Sequence, residues 1–91
     1  MTPETARELG QDALLWLVAQ PERFGGFLAS AGLGHDDVRA RSKDPEFLGF
    51  VLEFLLSSDE MVLAMSEETG RAPESVAEAH AALLGRAPDW T

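Results

Sequence analysis

Two histidines, three carboxylate pairs and one short run of cations are the side chains of this sequence that could do chemistry, and their spacing restricts what that chemistry is. His35 stands beside Asp36 and Asp37, and His80 lies two positions beyond Glu78. Neither belongs to a His-Glu-x-x-His or His-x3-His pattern, so no metal motif is present and no metal ligand is nominated. Both read as surface histidines. The pairs Asp36/Asp37, Asp59/Glu60 and Glu67/Glu68 fall at helix ends or turns. At a helix start, carboxylates complement the positive end of the dipole. Glu67 and Glu68 fall near a helix C-terminus instead, where they oppose it, so that pair points to an acidic patch read by another molecule. Acid–base catalysis needs carboxylates in a dry cleft, which a 91-residue chain has little room to build.

The chain has no cysteine, which removes thiolate chemistry, disulfides and Cys-ligated metals. Gly25-Gly26, Gly32 and Gly34 match no phosphate-binding loop, and no strand precedes them. No catalytic residue and no cofactor are therefore expected, and the protein reads as a non-enzyme. Arg39, Arg41 and Lys43 form the single positive cluster. They follow Leu28, Gly32 and Val38 at the spacing of a helix-turn-helix, which makes a DNA-recognition helix the alternative reading. Against it stand the flanking Asp36, Asp37 and Asp44 and a balance of 16 acidic to 7 basic residues, a net charge of -9. Such a field repels phosphate, from which most nucleic-acid affinity comes.

Helices must position these groups. Thr2 caps a helix over 3–19 opened by Pro3, with Ala6, Leu9, Ala13, Trp16 and Leu17 on one face. Pro21 opens a second, over 21–31, burying Phe24, Phe27 and Leu28 and stopping at Gly32. Gly25-Gly26 in its middle are expected to let another helix approach closely. A short helix covers 35–43. Asp44-Pro45 opens a helix over 45–57 whose wide apolar arc (Phe47, Leu48, Val51, Leu52, Leu55, Leu56) marks it as central. Phe50 lies off the narrow apolar face, as does Leu15 in the first helix. Ser57 with Glu60 fits a capping box for a helix over 58–69 carrying Met61, Val62 and Met65 inward and ending at Gly70. Pro73 opens the last helix, over 73–84, and Gly85 ends it. The fold class is all-α, a compact six-helix orthogonal bundle forming a single domain over 1–85, with 86–91 as a tail that frays unless Trp90 docks.

A shift of 38 residues aligns 9–40 with 47–78, matching Leu14 to Leu52, Leu17 to Leu55, Phe27 to Met65, Gly32 to Gly70 and Val38 to Val76. The expectation is two three-helix units related by a pseudo-two-fold axis, since one unit alone is too small to bury a core. Periodicity alone is the competing explanation of the match.

The run Asp12, Trp16-Leu17, Pro21-Glu22-Arg23-Phe24, Phe27-Leu28, Gly32-Leu33 and Asp37-Val38-Arg39, then Asp44 to Leu48 and Val51 to Leu56 with Asp59-Glu60, resembles a family of small helical proteins found chiefly in alphaproteobacteria, domain-of-unknown-function family 3572. The resemblance covers residues 3–84 and is most specific over 44–60. Met65 stands where the family tends to an aromatic, and Gly70-Arg71 where it tends to Gly-Leu. It implies a bacterial cytosolic protein and supports the helical reading, while implying no activity or site.

By elimination, the expected role is a small acidic adaptor or regulatory domain that binds a protein partner. Its surface would include Asp59, Glu60, Glu67, Glu68 and Phe50. A subunit or accessory factor of an enzyme is a more remote possibility. The first 20 residues lack a signal peptide's basic start, and the apolar run at 13–19 is far short of a membrane span. A cytoplasmic location, no membrane contact and a monomer or weak homodimer follow as expectations.

Overall fold

Thr2, Asp44 and Ser58 start three of the six helices, each by accepting a backbone N–H that the helix leaves unpaired. In the computed structural model, which describes residues 1–84, Thr2 Oγ1 accepts from Thr5 N at 3.1 Å, Asp44 Oδ1 from Glu46 N at 3.0 Å and Ser58 Oγ from Met61 N at 3.3 Å. The elements are α1 (Pro3–Val18), α2 (Pro21–Ala31), α3 (His35–Arg41), α4 (Pro45–Leu56), α5 (Asp59–Thr69) and α6 (Pro73–Leu84). Among the described residues there is no strand. Four expected boundaries move by one or two residues; α1 ends at Val18 and α4 at Leu56, each one residue early. Ser58, not Ser57, caps α5; Ser57 is the C-cap of α4 and donates its hydroxyl to the Phe54 carbonyl at 2.6 Å. The short α3 stops at Arg41, so Lys43 lies in the turn beyond it. Gly85 and the tail 86–91, including Trp90, lie outside the described residues.

Both expected glycine stops are present. Gly32 and Gly70 take left-handed backbone, with φ of 69° and 77°. Their N–H groups donate to Leu28 O and Ser66 O, carbonyls in the last turns of α2 and α5.

The helices α1, α4 and α6 pack on one another and form the centre, with α2 and α5 laid against them. Leu9, Leu17, Leu48, Val51, Leu52, Leu55, Met65 and Val76 are fully buried there. Trp16, Leu52 and Leu55 sit in the core as expected, and α4 supplies the central apolar arc. The close helix approach occurs at Gly10 and Gly49, not at Gly25-Gly26. A Cβ on Gly10 would come within 2.9 Å of Leu48 Cβ, and one on Gly49 within 2.9 Å of Leu84 Cδ2. Gly25 and Gly26 have nothing within 4 Å of a Cβ and are exposed. Their absence of side chains therefore serves no packing. Replacing either with alanine is expected to raise stability by about 0.5–1 kcal/mol, read from the denaturation midpoint.

The internal match extends through part of each half. Leu48 is the residue that the 38-residue shift pairs with Gly10, and these two meet where α1 packs on α4. Units α1–α2 and α4–α5 also share the left-handed glycine stop. The third helices differ: α6 has 12 residues and packs broadly on α4 and α1, whereas α3 has 7 and makes no comparable contact. The contacts do not establish a two-fold relation between complete three-helix units: α3 reaches the core through Val38, whereas α6 packs along α1 and α4.

Two long-range ion pairs brace the outside. Arg71, in the α5–α6 turn, donates from Nε to Asp12 Oδ2 of α1 at 3.0 Å. Arg23 of α2 donates to Glu60 Oε1 of α5 at 2.9 Å, its guanidinium 5.4 Å from the centre of the Trp16 ring. A double-mutant cycle should give about 0.5–1 kcal/mol for Asp12–Arg71 and less than about 0.5 kcal/mol for Arg23–Glu60. The Glu60 side chain is 81% exposed, and solvent screens that pair more.

Candidate functional site

Phe50 is the residue around which surface features converge. It lies on α4 between two acidic neighbours one helical turn away, Glu46 and Glu53. Beneath it is an aromatic floor: Phe27 of α2 meets Phe47 and Phe54 of α4 edge-on, at centroid distances of 6.0 and 5.3 Å. Those three rings are occupied with one another. Phe50 itself is 49% exposed.

Three open depressions share Phe50. One, of about 220 Å³, is lined by Leu33, Arg41, Asp44, Glu46 and Phe47. A second, of about 470 Å³, is lined by Glu46, Glu53 and the two leucines that end α6, Leu83 and Leu84. The third, of about 290 Å³, runs over Phe27, Ser30, Ala31, Phe54 and Ser57. Gly49 makes this surface possible. With no side chain there, the end of α6 seats against α4 one residue from Phe50 and brings Leu84 to its edge. His80 of α6 lies 3.6 Å from Glu53 and links the same two helices at that rim.

The other expected contact residues do not join this surface. Asp59 and Glu60 open α5, where they complement its dipole, and Glu60 is engaged by Arg23. Glu67 and Glu68 are exposed near the other end of α5. None of the four lines a depression that contains Phe50. The acidic groups that do are Asp44, Glu46 and Glu53, which the sequence reading passed over. Their signal was present in the spacing: Glu46-x3-Phe50-x2-Glu53 places two carboxylates beside one off-face aromatic.

The basic cluster is divided. Arg39 and Arg41 are exposed, but two residues apart they project about 200° apart around a helix of two turns. Lys43 is off the helix, and Arg41 turns toward the Phe50 surface. Among the described residues, no group of three or more His, Asp or Glu side chains converges to hold a metal ion, and no helix is long and apolar enough to cross a membrane.

A family model described as "Protein of unknown function (DUF3572)" matches residues 3–86. No curated protein and no solved structure matches the chain. The chain belongs to the DUF3572 family.

Proposed function

For this member of the DUF3572 family, we propose a non-catalytic role as a cytoplasmic protein-binding domain of the adaptor or regulatory kind, with the Phe50 face as its working surface. The observation that carries the reading is a half-exposed phenylalanine shared by three adjoining depressions and rimmed by Asp44, Glu46 and Glu53. Exposed aromatics in that setting mark contact surfaces, since the ring offers large apolar area at low entropic cost. The carboxylate rim, within a net charge of -9, selects a partner segment with an apolar anchor beside lysine or arginine and repels acidic competitors. The depressions are open and spread over α2, α4, α6 and the α3–α4 turn, which suits a peptide or a protein face better than a small substrate.

Phe50→Glu should lower partner capture from a native lysate by at least about 30-fold, the scale of removing a central aromatic anchor. Because the ring is half exposed, its stability should fall by roughly 1 kcal/mol. A Glu67→Gln, Glu68→Gln variant should capture as wild type does. If that acidic pair controls capture and Phe50 does not, the working surface is the end of α5. The wild type should show no salt-sensitive retention on duplex DNA at roughly 50 mM salt; retention lost on changing Arg39, Arg41 and Lys43 to alanine would establish the helix-turn-helix alternative.

A further inference from the structure

Two of the depressions at Phe50 join. The one lined by Leu33, Arg41, Asp44 and Glu46 and the one running over Phe27, Ser30, Phe54 and Ser57 share Ala31 and Phe50. Together they make a groove between α2 and α4, two helices whose backbones do not pack closely along their length. Aromatic rings close the gap from below, where Phe27 of α2 meets Phe47 and Phe54 of α4. Phe50 stands on the α4 wall, and the opposite wall is built from the small side chains of Ser30 and Ala31. From Glu46 to Ser57 the α4 wall rises about 16 Å, roughly three helical turns.

Charge lies along the α4 side. Glu46 and Glu53 are both exposed and both flank Phe50. They stand two turns apart on one face of α4, a separation of about 10 Å, with the ring between them. Asp44 extends the acidic side past the start of the helix. Among the described residues there is no strand, so no sheet edge receives an extended peptide by main-chain pairing. A three-turn channel with an apolar floor instead receives an amphipathic helix, whose anchors recur at i, i+3, i+4 and i+7. Laid along α4, such a helix meets Glu46 and Glu53 with residues two turns apart on its own face. The residue between them meets Phe50.

We infer that the partner element taken by the Phe50 face is an amphipathic helix seated in the α2–α4 groove, with lysine or arginine at positions i and i+7 and a large apolar residue at i+3 or i+4. The inference rests on the reading of the Phe50 face as a protein-binding surface and names the kind of partner that surface takes. Apolar residues of the helix cover Phe27, Phe50 and Phe54, and its two cations pair with Glu46 and Glu53. Affinity then comes from burial over the aromatic floor, while the carboxylates govern the rate of encounter and exclude acidic helices.

The test sets the full chain against two fluorescein-labelled peptides of leucine and lysine, identical in composition and roughly 15 residues long, enough for three to four helical turns. In the ordered peptide the leucines share one helical face, with lysines at i and i+7 on its edge. In the scattered peptide the same residues are spread around the helix. By anisotropy, the ordered peptide should bind at least about 10-fold more tightly, since only it offers a continuous apolar face. Its addition should shift the ¹⁵N resonances of Ser30, Ala31, Phe50 and Phe54 most. Ser30→Trp, which fills the groove from an exposed position, should weaken the ordered peptide by at least about 10-fold, with the fold intact by circular dichroism. Glu46→Gln with Glu53→Gln should slow its association by about 3- to 10-fold at low salt and leave its dissociation nearly as it was. Equal affinity for the two peptides would overturn the inference, because net charge alone would then account for binding. So would shifts centred on Gln20, Pro21 and Arg23, where another depression lies, or on Glu67 and Glu68. If Phe50→Glu abolishes lysate capture while the two peptides bind alike, the face remains the working surface and the helical partner falls. If the ordered peptide docks in the groove while Phe50→Glu leaves lysate capture intact, the groove's preference for a helix stands and the reading of the face as the working surface falls.

Discussion

Leu52→Ala is expected to remove about 2–5 kcal/mol of stability, measured as a fall in the denaturant midpoint at unchanged slope. Leu52 is fully buried on α4, the helix that touches α1, α5 and α6. Truncation there deletes apolar contacts and leaves a cavity whose walls belong to a tightly interlocked centre, so little collapse can compensate. A domain of this size holds on the order of 5–14 kcal/mol in total. The single change therefore takes a large share and should bring the protein close to its unfolding threshold at physiological temperature. A loss below about 0.5 kcal/mol would show that α4 is not the central helix.

Gly10→Val is expected to be comparably damaging, at about 3 kcal/mol or more, through crowding instead of a void. The new Cβ would lie 2.9 Å from Leu48 Cβ. Both atoms are anchored directly to helix backbones, so neither can rotate away, and α1 must move off α4. Gly49 differs in an instructive way. Its nearest neighbour is Leu84 Cδ2, the tip of a flexible side chain. Gly49→Ala should thus cost less than Gly10→Ala, since Leu84 can give way while helix propensity gains up to about 1 kcal/mol. The displaced Leu84 would still alter the edge of the Phe50 depression. Denaturation of the two alanine variants side by side checks the order; equal costs would mean that α1 and α4 can separate freely.

These expectations separate two levels of information in the chain. Local chemistry carried the secondary structure. Thr2, Asp44 and the prolines that follow each of them, along with Gly32 and Gly70, mark ends through groups in the same turn, so no distant residue is needed to read them. The one cap misplaced by a residue, Ser57 for Ser58, lies where adjacent serines offer the same hydroxyl. Only the backbone conformation at the junction distinguishes them. Burial of Trp16, Leu52 and Leu55 was equally legible, because helical periodicity fixes which side chains share a face.

Tertiary structure decided which elements meet. A glycine inside a helix carries the same propensity cost whether it seats a neighbour or faces solvent. Sequence spacing therefore could not separate Gly10 and Gly49, which are in contact, from Gly25 and Gly26, which are open. The same limit applies to the repeat. Apolar spacing aligned α3 with α6, but α6 is long enough to span α1 and α4, and α3 is not. The candidate site shows both levels at once. That Phe50 stands off the apolar face follows from a rotation of about 100° per residue along α4. Its place among three depressions, beside Leu84, Arg41 and three carboxylates, depends on side chains from separate helices, whose juxtaposition is set by packing and not by any local pattern.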